Sequence, residues 1–190
     1  MVRVTNPTTR FTVDEYFRMS EAGLFDGRRV ELLNGRIYRM HAQATPHMAA
    51  VTAGIVQLQR IALPNDWVVV QGTLKLDKNS APDPDLMLLP VPRGTPSENW
   101  PLPVLLVEVS SSTYKHDSGI KLRKYAMAGI TDYWIVNLKT DQVEVYRDPQ
   151  NPSGKLASCH YASRTDFNAN QSIELLNRPG VTIAVADLLK

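Results

Sequence analysis

Apolar residues follow two spacings along the chain, one typical of helices and one typical of buried strands. Helical spacing runs over 46–63, where a proline begins the helix, and again over 117–128. A shorter helix begins with a capping box, in which Thr12 is the N-cap and Glu15 is the third helical residue. The pattern therefore predicts three main helices, with a small fourth over 185–189.

Unbroken apolar runs predict strands that other elements cover on both faces. An Asn-Gly pair within 30–40 adds a β-hairpin, and alternation over 142–146 predicts a strand with one wet face. The remaining predicted strands lie at 67–76, 85–89, 104–109, 133–136, 156–161 and 172–175. Together these elements predict one α/β domain over 1–190, with helices flanking a central mixed sheet. Its core covers about 11–146, and 147–190 forms a C-terminal extension.

Composition narrows the class of protein only a little. The 190 residues are 43% hydrophobic, enough for a globular core, and a net charge of +2 does not by itself predict a nucleic-acid partner. The one cysteine, Cys159, excludes internal disulfides and a cysteine-based zinc cluster. The start of the chain lacks the apolar core of a signal peptide, and no apolar run is long enough to span a membrane. We therefore expect a cytoplasmic protein without membrane association.

Two acidic residues stand at the ends of predicted buried strands. Asp85 lies at the start of one predicted strand, and Glu108 lies near the end of another. A carboxylate among apolar neighbours is costly unless it is paired or binds a cation, so on adjacent strands the two could converge on Mg²⁺. The alternative is that both acids lie in solvent at strand ends, and the pattern alone does not decide between the two.

Lys121 has two interpretations as well. It follows Asp117 by four residues on the predicted helix, an acid-first order that suits a surface ion pair. In the second interpretation, the small residues at 110–112 let the helix pack closely behind Glu108 and bring Lys121 to the acids. An ammonium there could stabilise a developing phosphate anion or position an attacking water.

Several of these residues, taken together, resemble a known family. They are Pro84-Asp85, the apolar strand that ends in Glu108-Val109-Ser110, the segment 117–125, and Gly129 to Trp134. In this order and spacing they resemble the PD-(D/E)XK nuclease superfamily, and more closely its prokaryotic branch of Uma-type proteins described as putative restriction endonucleases. The likeness covers about 11–146 and includes Glu31 and His47.

The resemblance implies a restriction endonuclease-like fold, with a four-stranded mixed sheet as its core, and a metal-dependent phosphodiesterase site. Asp85 and Glu108 correspond to the acids of the motif and would hold Mg²⁺ or Mn²⁺ together with the backbone carbonyl of Val109. Two residues past Glu108 the chain has Ser110, where the common motif has lysine. Lys121, on the following helix, is the residue that fits the role of that lysine.

The resemblance adds residues around this centre. Glu31 corresponds to an upstream acid that many superfamily members bring to the metal, although pairing with Arg28 or Arg29 explains it equally well. Gln71 would hydrogen-bond the attacking water or a metal ligand, or else the backbone. Further candidate substrate contacts, each with a structural alternative as a cap, a core residue or a surface charge, are His47, Tyr125 and Lys124.

The function implied is a Mg²⁺-dependent endonuclease that hydrolyses phosphodiester bonds in DNA. A homodimer is expected, because two strands of a duplex must be cut. One alternative is a non-catalytic domain of the same fold that binds nucleic acid or a protein partner, and another is a self-assembling structural protein with 142–146 as an exposed strand. The nuclease requires Asp85, Glu108 and Lys121 to meet in one cleft, whereas the alternatives do not.

Overall fold

A computed structural model of the protein describes residues 9–40 and 42–189. Residues 1–8, which belong to the start that lacks the apolar core of a signal peptide, lie outside the described residues. The helices are α1 (Val13–Glu21), α2 (Thr45–Ile61), α3 (Tyr114–His116) and α4 (Leu122–Ala128), with a π-helical turn (Asp117–Lys121) between the last two. The strands are β1 (Val30–Leu33), β2 (Arg36–Arg39), β3 (Trp67–Val70), β4 (Leu86–Leu89), β5 (Leu105–Ser110), β6 (Asp132–Asn137), β7 (Gln142–Gln150), β8 (His160–Asn168), β9 (Ser172–Glu174) and β10 (Thr182–Ala184).

A six-stranded sheet in the order β3-β4-β5-β6-β7-β8 forms the centre of the fold. Only the β5–β6 pair of this sheet is parallel, and the helical segment α3–α4 makes the crossover between these two strands. The prediction of an α/β fold with a mixed sheet and flanking helices is confirmed. The sheet has six strands rather than four, because β3 and β8 extend it at its two edges.

Two apolar layers cover the central sheet, as the unbroken apolar runs predicted. Helix α2 and the C-terminal residues 173–188 pack against one face, and α4 packs against the other. Every residue of β4, β5 and β6 is buried. A third, smaller cluster joins α1 to the β1–β2 hairpin, and a backbone bridge between Leu32 and Ala81 ties that hairpin to the segment before β4. The hairpin is thereby held beside the edge of the sheet where β4 begins and β5 ends.

Some strand predictions were wrong at their ends or in their exposure. The strand predicted over 67–76 stops at Val70, because Gln71 adopts a left-handed backbone with φ of 50° and breaks the ladder. The weak strand predicted at 156–161 is the nine-residue strand β8, preceded by a short 3-10 turn. Consequently β7 lies between β6 and β8, and its residues 143–146 are buried, so the exposed strand required by the self-assembly interpretation is absent from this part of the described chain.

The small C-terminal helix predicted over 185–189 is a 3-10 turn, Val185–Asp187, and the preceding strand β10 was missed. The expected boundary between core and extension at Tyr146 falls inside β7. Within the described residues, no helix is long and apolar enough to cross a membrane.

The capping box at the start of α1 is formed as predicted. The Glu15 N–H donates to the Thr12 hydroxyl at 3.2 Å, and the Thr12 N–H donates to the Glu15 carboxylate at 2.8 Å. We expect Thr12→Ala to lower the free energy of unfolding by about 1 kcal/mol, the usual cost of losing such a cap. Urea denaturation would measure this, with the exposed Thr140→Ala as control. An equal effect of the two substitutions would contradict the importance of this cap.

Candidate active site

Strand register brings Asp85 and Glu108 together. Leu86 in β4 pairs with Val107 in β5 in antiparallel register, so the next pair outward on this ladder is Asp85 and Glu108. The Val109 N–H donates to Asp85 Oδ2 at 2.9 Å, which fixes this carboxylate against the end of β5. Both acids are nearly buried, with 7% and 2% of their surfaces exposed, so they do not lie in solvent at strand ends.

The π-helical turn places Lys121 against the acids. The Lys121 Nζ lies 2.9 Å from Glu108 Oε1, 3.1 Å from Glu31 Oε2 and 3.9 Å from Asp117 Oδ1. The lysine side chain is only 1% exposed, so the interpretation of Asp117 and Lys121 as a surface ion pair is wrong. The Ser110 hydroxyl donates to Asp117 at 2.5 Å, which holds the turn directly behind β5. One ammonium therefore faces three buried carboxylates.

Glu31 comes to this cluster from the first hairpin. It is fully buried, and besides Lys121 it contacts His116, whose Nε2 lies 2.8 Å from Glu31 Oε1. Glu31 therefore pairs with Lys121 and His116 and not with Arg28 or Arg29. Burial alone would raise the pKa of Glu31, but Lys121 and His116 outweigh burial and hold this pKa below its usual value. Glu31 is thus a carboxylate that supports the lysine.

Two polar side chains orient the Asp85 carboxylate. His47, in the first turn of α2, has its Nε2 3.1 Å from Asp85 Oδ2, and the Gln71 side-chain amide donates to Asp85 Oδ1 at 3.4 Å. The left-handed backbone of Gln71 also lets its N–H donate to the Asp85 carbonyl at 3.2 Å. The Nδ1 of His47 is buried and has no partner among the described residues.

Tyr125 and Lys124, which we predicted as substrate contacts, lie elsewhere. Tyr125 is fully buried beneath the cluster, and its hydroxyl donates to Glu108 Oε1 at 2.6 Å. Lys124 is 4% exposed and pairs with Asp77 at 2.9 Å. Helical spacing placed both residues near Lys121. It could not show that both side chains point away from the acids' open side. In this structure Tyr125 orients Glu108, and Lys124 anchors α4 to the loop that contains Asp77.

Five of the predicted site residues line one cleft. It runs between the start of α2, the end of β5 and the turn that follows β5. The predicted site residues that line this cleft are His47, Asp85, Glu108, Val109 and Lys121. They are joined there by Asp117, Arg29 and the small polar residues 111–113. The cleft therefore contains the two acids and the lysine that the nuclease hypothesis required.

The electrostatics of the cleft favour an added cation. Burial raises the pKa of Glu108 well above its usual value, and Asp117, Asp85 and Glu31 raise it further against the opposing effect of Lys121. Burial also raises the pKa of Asp117. For Lys121, burial would lower the pKa, but its three carboxylate neighbours raise it, so this side chain stays charged. The cluster holds more acid than one ammonium can compensate.

Comparison with known proteins gives the family. A family described as "Uma2: Putative restriction endonuclease" matches residues 13–186, which include every residue that lines the cleft. The chain belongs to the Uma2 family. This membership confirms the resemblance seen in the sequence, and it supports a nuclease, that is, a hydrolase acting on nucleic acid.

A solved structure shares the fold of this Uma2 chain. It is the crystal structure of a putative nuclease belonging to DUF820 from Anabaena variabilis ATCC 29413. The two chains are 14% identical, with a TM-score of 0.67 over 94% of this chain and 97% of that chain. At this identity the likeness shows the fold and leaves the chemistry to be argued from the site. No curated protein matches the chain significantly.

The residues of the Uma2 site fit a divalent cation. Across the described residues, no group of three or more acidic, histidine or cysteine side chains forms a metal cage. Mg²⁺ does not need one, because it is usually held by one or two carboxylates and completes its shell with waters and substrate phosphates. Asp85, Glu108 and the Val109 carbonyl would supply hard oxygen ligands, in a cleft that three carboxyl groups line.

Sequence analysis missed two members of the cluster, Asp83 and His116. The Asp83 N–H donates to Glu31 at 3.3 Å, while the Oδ1 of Asp83 is buried without a hydrogen-bond partner within 9–40 and 42–189. His116 contacts Glu31 across a sequence separation of 85 residues. Nothing local in the sequence indicates either contact, although the Asp-Pro-Asp run at 83–85 was a signal for a second acid beside Asp85.

Asp83 should make the stability of the chain depend on pH. Burial and the neighbouring Glu31, opposed by a hydrogen bond from Thr73, raise the pKa of Asp83 to about 6. The folded chain thus favours the protonated form, and this stabilisation is present below about pH 4 and lost as the pH rises through about 6. In EDTA, we expect Asp83→Asn to be more stable than wild type by about 3 kcal/mol at pH 7.5, with the difference vanishing near pH 4.

Urea denaturation across this pH range measures the effect. The exposed Asp26→Asn is the matched control, and it should change stability little at any pH. A difference between Asp83→Asn and wild type that is the same at both ends of the range would contradict this account of Asp83.

Proposed function

We propose that the chain is an endonuclease that hydrolyses phosphodiester bonds in DNA and depends on Mg²⁺ or Mn²⁺. The observation that carries the proposal is the convergence of Asp85, Glu108 and Lys121 in one cleft through the β4–β5 register and the helical turn after β5. Membership of the Uma2 family supports the same reaction class.

The metal would be held by the carboxylates of Asp85 and Glu108 and by the backbone carbonyl of Val109. When bound, such an ion supplies a Lewis acid for the phosphate and lowers the pKa of a coordinated water. The pairing of Val109 with Asp85 at 2.9 Å supports this ligand set, because it ties the acid of β4 to the backbone of β5. His47 and Gln71 hold the Asp85 side chain in a fixed orientation.

Lys121 would act on the phosphate and the attacking water. Its ammonium is held by Glu108 and Glu31, so its position is fixed before the substrate arrives. It would neutralise negative charge that develops on the phosphate oxygens or orient the water for attack. Tyr125 donates to the same oxygen of Glu108 that faces Lys121, which leaves the other carboxylate oxygen to act as the ligand.

The proposal includes a homodimer and a cytoplasmic location. Two copies would bring two sites to the DNA, and cyclic dimers are the commonest closed assemblies. The free thiol of Cys159, buried in the core, suits a reducing compartment. Light scattering of the purified protein tests the dimer, and a monomer at all concentrations would remove that part of the proposal.

A cleavage assay tests the proposal. Supercoiled plasmid, single-stranded DNA and RNA are incubated with purified protein in Mg²⁺, Mn²⁺ or EDTA. We expect nicking or cutting of DNA only with the metals, and its loss in Asp85→Asn but not in the exposed control Asp26→Asn. Circular dichroism confirms that both variants are folded.

Other outcomes would change the proposal. Cleavage of RNA alone would replace the substrate, and cleavage that persists in Asp85→Asn would exclude the site. No cleavage of any substrate, together with no rise in melting temperature on adding Mg²⁺ or Mn²⁺, would favour the alternative of a non-catalytic domain that uses this fold for binding.

A further inference from the structure

A second cavity adjoins the cleft and has a different chemistry. It lies between β2 of the first hairpin and the helical segment that begins at α3, and it shares Met40, Ser112 and Thr113 with the cleft. We propose that this cavity is a subsite for an unpaired nucleotide next to the phosphate that is cut, in a single strand of DNA. The inference rests on the proposed function and names the form of substrate that the site prefers.

The charged residues of this cavity suit a phosphate better than the charged residues of the cleft do. Arg39 and Lys115 line it, and both side chains are exposed. Neither makes an ion pair with any described residue, so both cations are available to a ligand. None of the described lining residues carries a carboxylate, whereas Asp85, Glu108 and Asp117 line the cleft. A neighbouring phosphate of the strand would therefore meet free positive charge here without needing a metal.

The wall of the cavity suits the flat face of a base. The Tyr38 and His116 rings pack with centroids 4.9 Å apart and planes 57° apart. Tyr38 lies directly opposite Glu31 in the hairpin register, and His116 is held by Glu31 at 2.8 Å. His116 is thus fixed by the same buried carboxylate that holds Lys121, and the Tyr38 ring packs against His116. Fixed aromatic rings beside free cations are the usual platform for single-stranded nucleic acid.

The connection between the two cavities indicates which form of DNA the subsite accepts. Because the cavities share lining residues, a strand whose phosphate reaches Lys121 in the cleft can place its next nucleotide against Tyr38. A base can reach that ring only when it is not paired with a complementary strand. The subsite therefore predicts a preference for single-stranded or locally opened DNA over a closed duplex, with little dependence on which base is present.

Binding of a short dye-labelled single-stranded oligonucleotide, followed by fluorescence anisotropy in EDTA, tests the subsite without cleavage. Arg39→Ala and Lys115→Ala should each weaken binding about fivefold and lower the salt dependence by about one phosphate contact. Their matched controls are the exposed Arg60→Ala, at the other end of α2, and Lys155→Ala, in the loop between β7 and β8. Tyr38→Leu should weaken binding about tenfold, whereas Tyr38→Phe, which keeps the ring, should bind as wild type does.

The same assay with a duplex of the same sequence completes the test. We expect the duplex to bind more weakly and to be insensitive to Tyr38→Leu. The inference is overturned if the subsite variants bind the single strand as well as their controls do, or if the duplex binds more tightly than the single strand.

The inference and the proposed function fail in different ways. Cleavage that is lost in Asp85→Asn while the subsite variants bind normally would leave the nuclease standing and remove the subsite. Oligonucleotide binding that depends on Tyr38, Arg39 and Lys115, with no cleavage under any condition, would keep the subsite and remove the nuclease. Absence of any binding would overturn the inference.

Discussion

Replacing Lys121 with methionine should lower the free energy of unfolding by about 3–5 kcal/mol at neutral pH, the usual cost of removing one partner of a buried ion pair. Methionine fills a similar volume, so the loss reports on charge more than on packing. The substitution leaves Glu31, Glu108 and Asp117 without the ammonium that lies 2.9 to 3.9 Å from them. The variant should also lose nuclease activity.

The pH dependence of the stability loss in Lys121→Met distinguishes the effect of lost charge from the effect of altered packing. Without Lys121, the three carboxylates favour their protonated forms in the folded chain, so the variant should recover stability as the pH falls. Urea denaturation at neutral and acidic pH measures this, and the exposed Lys155→Met is the matched control. A loss below about 1 kcal/mol at neutral pH, or a loss that does not depend on pH, would contradict the account of the buried cluster.

Replacing Glu108 with glutamine should have opposite effects with and without metal. In EDTA we expect the free energy of unfolding to rise at neutral pH, because burial and the neighbouring acids make the folded chain disfavour the charged form of Glu108. The glutamine carbonyl can still accept from Lys121 and Tyr125, which both donate to Glu108 Oε1 in the wild type. Because the pKa of Glu108 is raised, its stabilising contribution is lost as the pH rises, and the advantage of the variant should grow with pH.

With bound metal, wild type should become more stable than Glu108→Gln. Wild type should gain about 3 kcal/mol at a metal concentration 100-fold above its Kd, whereas Glu108→Gln should gain little. Thermal and urea denaturation in EDTA and in Mn²⁺ provide both comparisons. An equal stabilisation of both proteins by Mn²⁺ would show that the ion binds elsewhere.

The sequence allowed the acids of the site to be predicted, because their signals are local. Asp85 and Glu108 each adjoin an unbroken apolar run, and such runs become buried neighbouring strands. These runs and the family motif together predicted that Asp85 and Glu108 lie side by side at one edge of the sheet. Lys121 required the family resemblance, because its spacing from Asp117 suits a surface pair equally well.

The surroundings of the lysine could not be predicted in the same way. Glu31 reaches Lys121 and His116 through the fold and not through sequence proximity, since 85 residues separate Glu31 from His116. Periodicity also placed Tyr125 on the correct side of its helix but could not show whether it lies in the cleft or beneath it. The structure buries it fully under Glu108. Long-range contacts of this kind depend on how the hairpin docks, which no local pattern encodes.

The most direct test of the site is the rate of metal-dependent DNA cleavage by wild type and by Glu108→Gln, both shown to be folded. The substitution changes one atom of the carboxyl group, so the comparison isolates the charge and ligand character of this side chain. We predict cleavage by wild type in Mg²⁺ or Mn²⁺ and a loss of at least about a hundredfold in the variant, as when one group that stabilises a transition state is removed. Equal rates for the two proteins would contradict the assignment of this cleft as the active site.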